Sequence, residues 1–480
     1  MNKMKFCLLA LLVAVLVGCQ DDDSFTTSPQ NLLSCSTDTV RFDTVFSAVP
    51  TTTKTFWIFN DSGDGIRCTS VRQEKATKSG FRVNVDGVYL GPETNYQTSN
   101  VEIRKGDSIR VFVELTSKMV NADEPQLVED NLIFHLESGV EQAINLNAYS
   151  WDAVKVTDLH IGNDTTIAST KPIIVYGGIT VEEGKTLTIA GGTTLYFHDN
   201  AGIDVFGRLV ADGSADNEVT LRGDRIDRMF DYLPYDLTPG RWEGVKFHTS
   251  SYDNELKFTD LHSPFNAIIC DSADVTKTKL TLKNSTVHNC QGYGVMASNC
   301  KIVMENCQLT NALEGSVVLY GGDVTMNHCT LAQFYPFDAN RKAALRYQST
   351  EKMPLKKMDF INGIVTGYGE DQVAGSRENE TVDFNYRFIS SILRTGAVED
   401  AERIIDVTFE DVKDTASIQG EKHFRLVNIN TQHYDFHLSK VSTAIGKGNK
   451  EWPVSDDRDG TVRDENPDLG CYEYKENEGN

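Results

Sequence analysis

Between positions 222 and 240 the sequence gathers Arg225, Arg228, Phe230, Tyr232 and Tyr235 among several aspartates, and Arg241 and Trp242 follow at once. Aromatic rings stack on apolar faces, and guanidinium and carboxylate groups bond the hydroxyls around a sugar's rim, so this mixture suits carbohydrate recognition. The same rings would also serve a flap that covers a hydrophobic flank, since long irregular loops tend to cover or to bind something. A second stretch, 333–357, carries Arg341, Lys342, Arg346, Lys352, Lys356 and Lys357 against Asp338 and Glu351, a local net charge of +4. Such a patch fits an anionic glycan or lipopolysaccharide, or it balances the local field as a solvated surface. From the two stretches the candidate ligand-binding residues are Arg225, Arg228, Phe230, Tyr232, Tyr235, Arg241, Trp242, Arg341, Lys342 and Arg346. No CxxC pair and no His/Cys cluster with zinc spacing occurs, so neither a metal nor a cofactor is expected.

These candidates sit in a chain of 480 residues, long enough for two domains or a repeat. Apolar residues at 40%, charged residues at 24% and only 12 prolines exclude a disordered, collagen-like or polytopic membrane protein. The formal charge of −23 argues against nucleic acid or an anionic membrane surface as the main partner. Ten cysteines are too few and too unevenly spaced for a disulfide scaffold.

Lys3 and Lys5 precede an apolar run, 6–17, that is too short to span a bilayer and reads as a secretory signal. It closes on Leu16-Val17-Gly18-Cys19, which resembles the lipobox of bacterial lipoproteins. The resemblance implies cleavage of residues 1–18 and a lipid anchor on Cys19. The run Asp21, Asp22 and Asp23 reads as a solvated tether, 19–38, since like charges repel. It is also similar to the export tag of surface-exposed lipoproteins. The expected location is the outer membrane, lipid-anchored and facing outward.

From 39 to 153 short alternating runs such as Phe81-Arg82-Val83-Asn84-Val85 and Ser108-Ile109-Arg110-Val111-Phe112-Val113 are punctuated by Asp61-Ser62-Gly63, Asp86-Gly87 and Lys105-Gly106-Asp107. This spacing predicts an immunoglobulin-like β-sandwich.

Beyond it a repeat takes over. Ile179 and Val181 recur as Ile203 and Val205, and Leu195 and Phe197 as Val219 and Leu221. A hexad of apolar, any, polar, small, any, apolar then returns. It reads Leu282-Lys283-Asn284-Ser285-Thr286-Val287, Met304-Glu305-Asn306-Cys307-Gln308-Leu309 and Met326-Asn327-His328-Cys329-Thr330-Leu331, and recurs from Phe360 and Phe388. Intervals of 22, 22, 34 and 28 residues fit coils of three short strands, with Asn at a bend that visits the left-handed region. The fold expected is all-β: the sandwich, then a right-handed parallel β-helix over 154–475. Here His262 and His288 could stack on neighbouring coils, and His328 replaces Asn; with no carboxylate partner evident, each reads as a satisfied turn histidine. Cys307 and Cys329 share the small position. Their parallel side chains argue for two buried free thiols. The sequence leaves the pairing of Cys35, Cys68, Cys270, Cys290 and Cys300 open.

The opening Gly178-Ile179-Thr180-Val181-Glu182-Glu183-Gly184, the Trp242-Glu243-Gly244-Val245 rung and the closing Asp457-Arg458-Asp459-Gly460 and Leu469-Gly470-Cys471-Tyr472-Glu473 resemble right-handed parallel β-helix lipoproteins of the bacterial envelope. In that family the residue before the final Tyr-Glu is usually Ala; here it is Cys471. Hydrolases of this shape resemble one another in an Asn-Thr-Asp, Asp-Asp, His-Gly and Arg-x-Lys series that this chain lacks. If Ser455 began a calcium loop, Asn466 would stand where the bidentate Glu belongs, so 456–463 reads as a structural cap. The expectation is a monomeric, non-catalytic glycan-binding or structural protein. A lyase or hydrolase acting on anionic polysaccharide and a protein-binding adhesin stand as alternatives.

Overall fold

The computed structural model describes residues 24–230 and 232–476. Cys19, Asp21, Asp22 and Asp23 lie outside the described residues. The chain forms two compact units that part after Asp152.

In the first unit, alternation of apolar and polar residues builds two five-stranded sheets. One has the order Ser34–Cys35, Lys54–Phe59, Ser108–Leu115, Phe81–Val85, Val88–Tyr89. The other runs Thr39–Phe46, Glu141–Trp151, Gln126–Leu136, Ile66–Gln73, Gln97–Ile103. Phe56, Ile58, Val83, Val111 and Val113 of the first share one core with Val71, Leu132, Phe134 and Leu146 of the second. The unit is therefore a β-sandwich. From Ser24 on, the segment read as a tether belongs to it. Thr26 donates to the Gly65 carbonyl at 2.8 Å, Leu33 is buried, and Ser34–Cys35 adds an edge strand.

The second unit is a right-handed parallel β-helix. Through the middle coils each strand pairs in parallel with the strand three places on, so each coil contributes to three walls. Leu282, Met304, Met326, Phe360 and Phe388 stack in one inward ladder, in the register the hexad predicts. Each is almost wholly buried, and burying one such side chain stabilises the fold by about 1.5–3 kcal/mol. The third hexad position is left-handed throughout: φ is 46° at Asn284, 53° at Asn306, 51° at His328, 52° at Asn362 and 44° at Ser390. One expected register is corrected. Leu195 pairs with Leu221 and Phe197 with Gly223, because the corner with the tight turn at Ser214–Asn217 lengthens the offset between coils from 22 to 26 residues.

The asparagine corner does more than bend the chain. Residues 449–474 return along it. Asn284 Nδ2 donates to the Asp457 carbonyl and Asn306 Nδ2 to that of Asp456, both at 2.6 Å, and Arg463 bonds Asn306 Oδ1 at 3.0 Å. Asp457 caps the turn by accepting from the N–H groups of Asp459, Thr461 and Glu473 at 2.8–2.9 Å. Leu469, Cys471 and Tyr472 pack with Ile364 and Ile392 outside the third wall. The returning segment thus covers the corner and the third wall, held there by buried side chains of both partners. All eight described cysteines are free thiols. Cys307 Sγ is 3.3 Å from the Leu282 carbonyl and 3.2 Å from that of Glu305.

Candidate functional site

Both insertions leave the same corner of the coil, between the third wall and the first. That corner takes two residues, 291–292 or 313–314, in the middle coils, but spans 224–243 before Gly244–Phe247 and 334–344 before Leu345–Ser349. Two short strands, Arg228–Phe230 and Leu233–Pro234, pair within the first insertion, and a 3-10 turn, Tyr235–Leu237, follows. Phe230 and Tyr232 stand at its tip, 54% and 55% exposed, with rings 5.7 Å apart and only 11° from parallel. Below them Arg225 grips Asp227 through two bonds of 2.6 Å and lies 3.8 Å over the Tyr235 ring; Arg241 approaches the same ring at 5.6 Å.

The base of this loop is fixed. Asp236 forms an ion pair with Arg222 at 2.7 Å and meets His262 Nε2 at 2.7 Å. Ser263 Oγ donates to the Asp236 carbonyl, and Asn289 Nδ2 to the Leu237 carbonyl at 3.1 Å. Burial opposes charge on His262, but Asp260 and Asp236 outweigh it and raise its pKa to about 9. Burial likewise opposes ionisation of Asp236, and His262, Arg222 and His288 overcome it, so its pKa is lowered. The expectation of histidines without carboxylate partners is thereby corrected: His262 and His288 stack with centroids 4.9 Å apart, and Asp260 lies within 3.2–3.3 Å of both.

The loop runs directly into a groove of about 420 Å³ on the first wall. Its floor is the outward ladder Thr180, Asp204, Lys246, Ile269 and Met296, and Asn200, Glu243, Asn266 and Tyr293 line it from the corner. The groove is open because glycines sit where side chains would fill it. At Gly244, with φ +94°, a Cβ would meet the Asn266 carbonyl at 1.7 Å. Beside the floor Phe206 stacks on His248 at 3.9 Å, and His248 meets Asp204 at 2.7 Å and Asp271 at 3.5 Å. A smaller hollow of about 180 Å³ continues the wall, lined by Val318, Tyr320, Arg346 and Gln348.

The structure therefore brings Arg225, Phe230, Tyr232, Tyr235 and Arg241 together on one braced loop, and Arg228 lies on its hairpin strand. Trp242 is corrected. It is 1% exposed, stacks on Phe197 at 4.4 Å and donates to the His262 carbonyl at 2.9 Å, so it is core and cannot touch a ligand. The basic stretch is not one patch either, since a coil sends successive residues to different walls. Arg341 lies 5.2 Å over the Tyr368 ring, and Lys342 is exposed in the same corner loop. Arg346 stands on the groove wall, while Lys356 pairs with Asp383 and Lys357 with Asp359 on the second wall. The groove's Asp204, Glu243, Lys246, Asn266 and Tyr293 were missed. Extending the pairing of Ile203 and Val205 one coil on, to Val245 and Phe247, would have exposed Lys246 as an outward neighbour of Asp204.

Residues 266–374 match the family model for a right-handed β-helix region. Among solved structures the chain is similar to the catalytic unit of a thermostable GH87 α-1,3-glucanase from Streptomyces thermodiastaticus strain HF3-3. Identity is 8%, the alignment covers 74% of this chain and 87% of that one, and the TM-score is 0.21. A GH87 α-1,3-glucanase catalytic domain in complex with tetrasaccharides aligns at 10% identity, over 74% of this chain and 92% of that one, also with a TM-score of 0.21. No curated protein matches the chain.

Proposed function

We propose that this protein is a surface lipoprotein whose β-helix binds glycan chains without cutting them. The observation that carries the reading is the exposed, nearly parallel Phe230–Tyr232 pair on a loop whose base is braced by Arg222, Asp236 and His262. Two nearly parallel rings offered to water suit the apolar faces of pyranoses, and bracing at the base of the loop limits the entropy lost on binding. The groove that the loop enters supplies groups for sugar hydroxyls: Asp204, Glu243, Asn266 and Tyr293. The chain's net charge of −23 disfavours polyanions, so the ligand class is a neutral polysaccharide. The carboxylates beside the floor are engaged by His248 and Lys246, which suits holding a ligand more than attacking it.

Binding without cleavage is tested by incubating the protein with the polysaccharides it retains on an array. No new reducing ends should appear; their appearance would make it an enzyme. Location is tested by fractionation. Cys19→Ala should release the protein from the membrane fraction. Replacing Asp21, Asp22 and Asp23 with Ala should keep it membrane-bound but shielded from protease on intact cells. Unchanged accessibility would defeat the export role.

A further inference from the structure

The strand Thr259–His262 sends Asp260 and His262 outward, and the register sets His288 on the next coil beside His262. Asp260 Oδ1 lies 3.2 Å from His262 Nδ1 and 3.3 Å from His288 Nε2, and the three residues offer one ligand atom each within 4.8 Å of one another. Charge-assisted hydrogen bonds are shorter, roughly 2.7–2.9 Å. The two separations from Asp260 Oδ1 are close to the edge of a tetrahedron with metal–ligand bonds of about 2.0 Å, which is about 3.3 Å.

A comparison within the molecule sharpens the point. His437 also sits between two carboxylates, but its nitrogens meet Asp435 at 2.6 Å and Asp459 at 2.8 Å, and among the described residues no second histidine forms a cluster with them. That is the geometry of an imidazolium closed by hydrogen bonds. At His262 only the outer contact is short: Nε2 lies 2.7 Å from Asp236, which Arg222 holds at 2.7 Å. Metal-bound imidazoles give their other N–H to a carboxylate in this way, which fixes tautomer and ring. Side-chain exposures of 27% at Asp260 and 21% at His288 leave an entry path.

We propose that Asp260, His262 and His288 form a zinc site, with Asp260 Oδ1, His262 Nδ1 and His288 Nε2 as ligands and a fourth position for water. Asp236 is the outer carboxylate that orients His262. Zinc replaces the proton on His262 Nδ1, which passes to solvent, and the metal takes over the positive charge between the two carboxylates. Because Asp236 belongs to the 224–243 loop, the ion also stiffens the base of that loop.

The full chain, stripped with chelator, is titrated with Zn²⁺ by calorimetry and with Co²⁺ by visible absorption. One ion per chain and the intense d–d bands of a four-coordinate site are expected. His288→Ala and Asp260→Asn should each weaken Zn²⁺ binding about 100-fold or more, and Asp236→Asn by about 10- to 100-fold. His437→Ala should leave it unchanged. Circular dichroism verifies that each variant is folded; should His288→Ala unfold, His288→Gln carries the same expectation. The wild-type Co²⁺ spectrum needs no variant. Absence of stoichiometric binding, an octahedral Co²⁺ spectrum, or wild-type affinity in a folded His288 variant would overturn the site.

Discussion

Asn362 holds the returning chain with both ends of its amide: Oδ1 accepts the Asn449 N–H at 2.6 Å, and Nδ2 donates to the Asn449 carbonyl at 3.2 Å. Asn306 and Asn284 repeat the donation two and three coils away, toward Asp456 and Asp457. One residue type thus serves two ends. It tolerates the left-handed corner, and it gives the corner a side chain that binds a backbone.

Two substitutions separate these roles at Asn306, which is fully buried. Asn306→Gly keeps the conformation but strips Asp456 and Arg463 of a partner, and should cost about 1–3 kcal/mol. Asn306→Ala loses the amide and adds the left-handed penalty, about 1–2 kcal/mol more. Denaturant unfolding measures both. A Gly variant as stable as wild type would show that the amide does not secure the cap.

The inward ladder makes a second contrast. Met304→Asp places an unpaired carboxylate between Leu282 and Met326 and should destabilise by several kcal/mol. Lys283, one position from Leu282, points outward and pairs with Glu305 at 2.9 Å, so Lys283→Gln should cost less than about 1 kcal/mol. Equal losses would contradict the phase of the coil.

Glu410 gives a pH prediction. It accepts from Arg394 and Thr366 at 2.8 and 2.7 Å and meets His423 at 2.8 Å. Burial opposes its ionisation, but His423, Thr366 and Arg394 prevail and lower its pKa from 4.5 to about 2. A depressed carboxylate contributes stability above its unfolded pKa and loses it as pH falls through the folded one. About 3 kcal/mol should therefore vanish between pH 4.5 and 2. Thermal unfolding across that window should show a steeper loss of Tm in wild type than in Glu410→Gln. Parallel profiles would contradict the assignment.

The solenoid was legible because a coil must return apolar residues to one ladder, and the hexad from Leu282 to Phe388 records that return. It became illegible one coil earlier. There Phe258 takes the left-handed position, at φ 43°, in place of Asn, and the pattern Leu256-Lys257-Phe258-Thr259-Asp260-Leu261 goes unrecognised. The stacking of His262 on His288, open as a possibility from the sequence, would have been fixed by reading it. Asp236 could not have been placed at all, since it comes from an irregular loop that folds back on the wall. Trp242 misleads for a related reason: composition groups it with the loop, while its ring turns inward onto Phe197.

The most direct test of glycan binding is a glycan array probed with wild type and with a Phe230→Ala, Tyr232→Ala double variant. Both rings are exposed, so the variant should fold and melt as wild type does. Wild type should retain a defined set of neutral polysaccharides, and the variant should lose about 10- to 100-fold in affinity for them, two stacking contacts being worth about 0.5–1.5 kcal/mol each. Binding that is unchanged in the variant, or no retention of any glycan by wild type, would contradict the account.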